Sequence, residues 1–210
     1  MGESYRFPLT IVDGIRLEKS VRDALLPGRI VHDASGRARR LPRYFYEIPS
    51  WDQAMSMQLS PNFALWEFIQ TDVREAAALR AFPRYIPCAI TLLAASLERF
   101  REAVGAFVHI AANGGYRSPM HTLSMNATPH SWGTAVNIYR IGDVFLDDRE
   151  SIERYAALAR QVLPGAWTRP FGTTRGTTDD HLHLDLGFVL SMPHGAPDAH
   201  LGFGAERRAS

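Results

Sequence analysis

Apolar positions change period several times along the chain, and the changes mark its elements. Ile90, Leu93, Leu97, Phe100 and Val104 recur every three or four residues, which predicts one buried helical stripe between about 87 and 106. Pro87 suits its first turn and Gly105 its end. A second helix is predicted after Asp147, an N-cap with Glu150 as its capping-box partner; it carries Ile152, Tyr155, Ala156, Ala159, Val162 and Leu163 and stops at Pro164-Gly165. Between and after these helices the period drops to two. Residues 107–112 set His109 and Ala111 against Val108, Ile110 and Ala112, and residues 134–141 set Ala135, Asn137 and Tyr139 against Val136 and Ile138. In 181–186 the alternation places His181, His183 and Asp185 on one face and three leucines on the other.

Upstream, residues 1–58 read as an N-terminal extension. Ile15, Leu17, Val21, Ala24 and Leu25 form a short helical stripe ended by Pro27-Gly28. Residues 29–33 and 43–48 are strand-like, and Ala34-Ser-Gly36 predicts a hairpin between them. A turn and a short aromatic helix follow from Leu59 to Phe68, then a second helix through Val73 to Leu79. Residues 59–192 read as the main domain, and 193–210, rich in Gly, Pro, Ala and His, as a poorly ordered tail. Helices come early and strands carry the polar motifs, the pattern of an α+β fold with a small, mainly antiparallel sheet and surrounding helices.

Composition narrows the function classes. Lys plus Arg number 23 and Asp plus Glu 22, a net charge of +1 that calls for neither nucleic acid nor an anionic membrane. The cluster Arg37-Ala-Arg-Arg40 reads as a solvated loop, and the isolated His32 as structural. Cys88 is the only cysteine, which excludes an internal disulfide and a thiolate metal cluster. The start of the chain has no apolar signal core and no run of 18 apolar residues occurs, so the default expectation is cytoplasmic, or periplasmic or secreted if a signal has been removed.

The chemistry-bearing residues sit at strand ends and turns. Asn113-Gly-Gly115 breaks a strand and delivers Tyr116-Arg-Ser-Pro119; His130 follows Pro129; a second histidine comes from His181 or His183. Catalytic zinc needs about three protein ligands, an open position for water and a nearby carboxylate. Two histidines on separate elements satisfy part of that need, and histidines held by hydrogen bonds without metal satisfy the same pattern.

Four motifs, in order over residues 59–188, resemble the D-alanyl-D-alanine metallopeptidases, the superfamily that includes vancomycin-resistance dipeptidases and carboxypeptidases, phage endolysin peptidases and the hedgehog signalling domain. Pro61-Asn-Phe63 with Glu67-Phe68 is similar to the opening of one branch, Gly115-Tyr-Arg-Ser-Pro119 to its Gly-Tyr-Arg-Ser segment, Thr128-Pro-His130 with Gly133-Thr-Ala-Val-Asn137 to its Ser-x-His-x-x-Gly-x-Ala-x-Asp motif, and His183-Leu-Asp-Leu-Gly187 to its closing run. The resemblance implies a hedgehog-like peptidase fold, a Zn2+ cofactor, and a small peptide or cell-wall peptide as substrate. It makes His130 and His183 zinc ligands, Asp180 the general base, and Arg117 the group that binds the substrate carbonyl or oxyanion. His181, two residues before His183, either assists a tetrahedral intermediate or exchanges roles with it, and Asp185 orients a histidine or pairs with Arg117.

The pattern breaks at one ligand. Where the family has aspartate, seven residues after the first histidine, this chain has Asn137, a neutral and weaker donor. Asn137 then ligates through its oxygen in a working zinc peptidase, or marks a non-catalytic peptide-binding or scaffold module, or is an engineered substitution. The segment between Arg117 and His130 also lacks the family's Gly-Gly pair, and Thr128 stands in for serine.

Overall fold

The computed structural model describes residues 8–124, 127–173 and 179–197. Strand β1 (Ile11–Asp13) opens the chain, and helix α1 (Lys19–Leu25) buries Val21, Ala24 and Leu25 before ending in a left-handed Leu26. Strands β2 (Ile30–His32) and β3 (Ala38–Arg40) pair only with each other, as an exposed hairpin. Strand β4 (Tyr44–Ile48) does not join them. The expected hairpin between residues 29–33 and 43–48 is therefore replaced by a tighter one, because the Asp33 carboxylate accepts from the Ser35 amide, the Ser35 hydroxyl and the Arg37 amide and turns the chain at once. Tyr44, Phe45, Tyr46 and Ile48, all buried, go instead to the middle of a three-stranded antiparallel sheet between β1 and a later strand.

Helix α2 (Trp51–Ser56) is capped by the Ser50 hydroxyl. The short hairpin of β5 (Gln58–Ser60) and β6 (Phe63–Ala64) then leads into the four-residue helix α3 (Leu65–Phe68). The helix expected through Val73–Leu79 shrinks to a 3-10 turn at Ala77–Leu79. Val73 is 78% exposed and offers no apolar anchor, while the Glu75 side chain turns inward. Strand β7 (Arg84–Pro87) completes the first sheet; Pro87 ends that strand opposite Phe45 and is not the first turn of the following helix, α4 (Ile90–Val104). Helix α4 buries Ile90, Leu93, Leu97 and Phe100 as its spacing predicts and is closed by the left-handed Gly105.

The second sheet has five strands: β8 (Val108–Ile110), β9 (Ala135–Ile141), β10 (Val144–Phe145), β11 (Trp167–Thr168) and β12 (Leu182–Asp185), all antiparallel. Ile138 of β9 pairs with Ile110 on one side and Leu182 on the other, which makes β9 the centre. Helix α5 (Arg149–Val162) packs on α4 and on β12, so Leu182 and Leu184 face helices while the histidines beside them face away. Its cap is Asp148, not Asp147: the Asp148 backbone is extended, and its carboxylate accepts from the Ser151 amide at 2.8 Å. Of the expected tail, Ala196 joins the core and residues 198–210 lie outside the described residues, as do 174–178 of the loop before β12. The whole is α+β with small antiparallel sheets, and no helix among the described residues is long and apolar enough to cross a membrane.

An ion pair between a buried carboxylate and a partly exposed guanidinium fastens the first sheet. The Asp13 carboxylate accepts from Arg43 at 2.9 and 2.6 Å and caps the turn after β1 through the Ile15 amide. The Arg43 bonds outweigh burial and hold its pKa below 3.8. Folded-state depression means that this stabilisation is complete above the unfolded pKa and is lost as pH falls through the folded one. Asp13→Asn should therefore cost about 1–3 kcal/mol near neutral pH, and the gap to wild type should narrow below the ordinary carboxylate range; urea unfolding at the two pH values measures both.

Candidate active site

The site is assembled where β9 and β12 lie side by side. Their register sets His183 directly opposite Asn137, so both side chains leave the same face. The Asn137 side-chain amide lies 2.9 Å from His183 Nδ1. On the other edge of the ring, His183 Nε2 donates to Asp185 Oδ2 at 3.0 Å, and Asp185 is fixed in turn by the Gly187 amide at 2.7 Å. Burial keeps the His183 pKa below its ordinary value against the pull of Asp185. The neutral ring therefore carries its proton on Nε2, and the Nδ1 lone pair faces the amide of Asn137, which can turn its NH2 toward it.

His130 arrives from a separate element, a 3-10 turn over Pro129–Trp132 closed by the left-handed Gly133. Its Nδ1 donates to the Gly115 carbonyl at 2.8 Å, which leaves the lone pair on Nε2. Burial, then the charge of Arg117, holds its pKa well below the ordinary value, so it too is neutral. The rings of His130 and His183 lie 5.1 Å apart between centroids. Two histidines thus have one ring nitrogen tied from behind and the other left with a lone pair, and they line one cleft with Asn137. That is how metal-binding imidazoles are oriented in proteins.

Gly115 holds this arrangement by close approach. A Cβ there would meet the Phe68 carbonyl oxygen at 2.4 Å and Phe68 Cα at 2.7 Å, and one on Gly114 would meet the Ala111 oxygen at 2.6 Å. The Tyr116 amide donates to the same Phe68 carbonyl. The Asn-Phe…Glu-Phe segment consequently contributes support and no side chain to the cleft: Asn62 bonds Glu98 of α4, Glu67 accepts from the Ala64 amide, and Phe63 and Phe68 are buried.

No family model, curated protein or solved structure matches this chain. The chemistry of the site must be read from its own residues. A cleft of about 460 Å³ is lined by Arg117, His130, Asn137, His181 and His183, bringing together most of the side chains the sequence pointed to. Asp180 is the exception. It accepts the His181 Nδ1 proton at 2.6 Å from an exposed position beside the cleft. Arg169 donates to the opposite nitrogen, His181 Nε2, at 3.2 Å, and burial leads the effects that lower the His181 pKa. Asp185 orients His183 and does not bond Arg117. Arg117 itself is buried, with its Nε unpartnered, and burial beside Arg74 pushes its pKa down to about 10.

Four contributors escaped sequence reasoning. Arg74, Trp167 and Arg169 also line the cleft, and the Trp167 ring stands edge-on to His183 at 5.6 Å. The fourth is Glu75, buried beneath the loop, where it accepts from the Ser118 amide and hydroxyl. None lies in a periodic segment: β11 has only two residues, too few to show alternation, and Glu75 belongs to an irregular stretch. Among the described residues, no three His, Cys, Asp or Glu side chains are grouped to hold a metal ion.

Gly115→Ala tests the support. The added methyl must displace Phe68 backbone or the loop, which should cost about 1–3 kcal/mol in urea unfolding and should remove the hydrogen-bonded Nδ1 proton resonance of His130 from the NMR spectrum.

Proposed function

We propose that the chain is a zinc-dependent, peptidase-like hydrolase acting on a small peptide, of the kind with a D-residue or cell-wall fragment, on a hedgehog-like α+β scaffold. The reading is carried by the pair of pre-oriented imidazoles: Gly115 fixes the proton of His130 and Asp185 that of His183, the other nitrogen of His183 lies against Asn137, and all three side chains line one cleft. His130 Nε2, His183 Nδ1 and the oxygen of Asn137 would hold the ion, with the amide turned so that its oxygen faces inward. Bound zinc supplies polarisation of a carbonyl and a water of lowered pKa.

The chain's own groups do the rest: Asp180, set beside the cleft against His181, would take the proton of the attacking water and return it to the leaving amine. Arg117 points a buried guanidinium into the cleft, where it binds the oxygen of the scissile carbonyl and stabilises negative charge as it develops. His181 presents a ring whose Nδ1 proton is held by Asp180, so the pair orients one imidazole at the cleft wall, with Arg169 donating to its other nitrogen. Trp167 covers one edge of His183 and narrows access of water from that side.

A second reading, a peptide-binding module without hydrolysis, is favoured by one residue, Asn137, whose neutral amide weakens any metal site. Elemental analysis separates the two. The hydrolase reading expects about one zinc per chain, lost in His130→Ala and in His183→Ala, and a fall of roughly 10–100-fold in zinc affinity for Asp185→Asn. Hydrolysis of a D-alanyl-D-alanine peptide should rise in Asn137→Asp. Protein that takes up no zinc even when it is added sinks the hydrolase reading and leaves the binding module.

A further inference from the structure

The charges of the cleft do not balance. Among the described residues, three guanidiniums line it and no Asp or Glu does. Arg74 is paired with Asp72 through bonds as short as 2.7 Å, and Arg169 is engaged with His181, but Arg117 is buried with its Nε unpartnered, and Glu75, whose negative charge acts on it from beneath the loop, bonds the Ser118 amide and hydroxyl instead. The carboxylates nearest the histidines are behind them: Asp185 on His183 Nε2 and Asp180 on His181 Nδ1. A divalent ion at His130 and His183 would meet a cationic wall and no protein anion, since the third donor is an amide.

We infer that an anionic group of the ligand completes this site: a carboxylate seated between Arg117 and the face formed by His130, Asn137 and His183 supplies the negative charge that Asn137 lacks. A carboxylate has the shape for it. One oxygen accepts from one edge of the Arg117 guanidinium, whose other edge is left for the scissile carbonyl, and the second oxygen is a donor toward the metal-binding face. Placed between two cations, it replaces a repulsion with two attractions. Metal and ligand then bind with positive coupling, each raising the affinity for the other by the same factor. The cleft of about 460 Å³ has room for a peptide-like molecule carrying such a group. This inference rests on the zinc reading above and adds to it the class of ligand and the order-independent coupling.

The test measures metal binding, not turnover. Zinc affinity of the full chain is determined by competition with a chromophoric chelator, in buffers of equal ionic strength made with sodium perchlorate or sodium acetate, with acetate's own zinc binding subtracted. Wild type should bind zinc about tenfold or more tightly in acetate. Asn137→Asp should bind more tightly than wild type in perchlorate, and its acetate effect should shrink to about twofold or less, because the chain now provides the carboxylate. Arg117→Gln should lose the acetate effect; Arg117→Lys, which keeps the charge, should retain part of it and guards against a folding defect. Zinc binding that is equal in the two buffers for wild type, or an acetate effect undiminished in Asn137→Asp, overturns the inference and leaves the hydrolase reading intact. If neither wild type nor Asn137→Asp binds zinc in either buffer, the hydrolase reading falls and this inference with it.

Discussion

The register of β9 against β12 is the constraint on which the site depends. Because side chains alternate across a strand, His183 opposite Asn137 means that His183 faces the cleft, with Asp185 behind it on the same side of the sheet, while the leucines of β12 face the helices. A slip of one residue would bury the histidines against the helix and turn Leu182 and Leu184 to solvent. The apolar face therefore does more than stabilise the sheet. Burial of the two leucines, both fully shielded, is what holds the two imidazole-bearing elements in one geometry.

A second level of order comes from the backbone beneath His130. The Gly115 carbonyl is an acceptor for the ring only because the glycine lets the chain lie against Phe68, and Phe68 is itself locked into the core. Packing in α3 is thereby transmitted to the tautomer of a histidine on a different element. The same loop is held from the other side by Glu75, whose carboxylate binds both Ser118 donors. Arg117 lies between those two anchors, and this is how a guanidinium with an unpartnered nitrogen is kept in place while buried: the surrounding backbone is over-determined.

Much of this was legible in the chain. The long helices were read from their three-and-four spacing, and the strand carrying His181, His183 and Asp185 from clean alternation, because both elements have one wholly buried face. The motifs also named most of the cleft residues in advance. Long-range partner choice was not legible: β4 pairs with β1 and β7, not with its neighbour β2, since Asp33 decides the hairpin locally and four buried side chains decide the sheet globally. Asp180 shows the limit of spacing arguments. Its distance in sequence from His183 is that of the expected base, but spacing does not encode the bond its side chain also makes to the ring of His181, which is a choice between rotamers.

The exposed β2–β3 hairpin lends none of its residues to the lining of the cleft, yet three of its contacts end on residues that frame it. The Trp132 indole donates to the Arg40 carbonyl, the Ala127 amide donates to the His32 carbonyl, and the Arg39 guanidinium lies over the Phe188 ring, which stacks edge-on with Trp132. Those partners belong to the segments that carry His130 and that follow His183. The hairpin thus acts as a clasp closing the two halves of the site onto each other from outside. A chain trimmed to begin at β4 would leave the indole and the amide without acceptors and the two segments free to part, so the boundary of the working unit lies well before the first residue that touches the cleft.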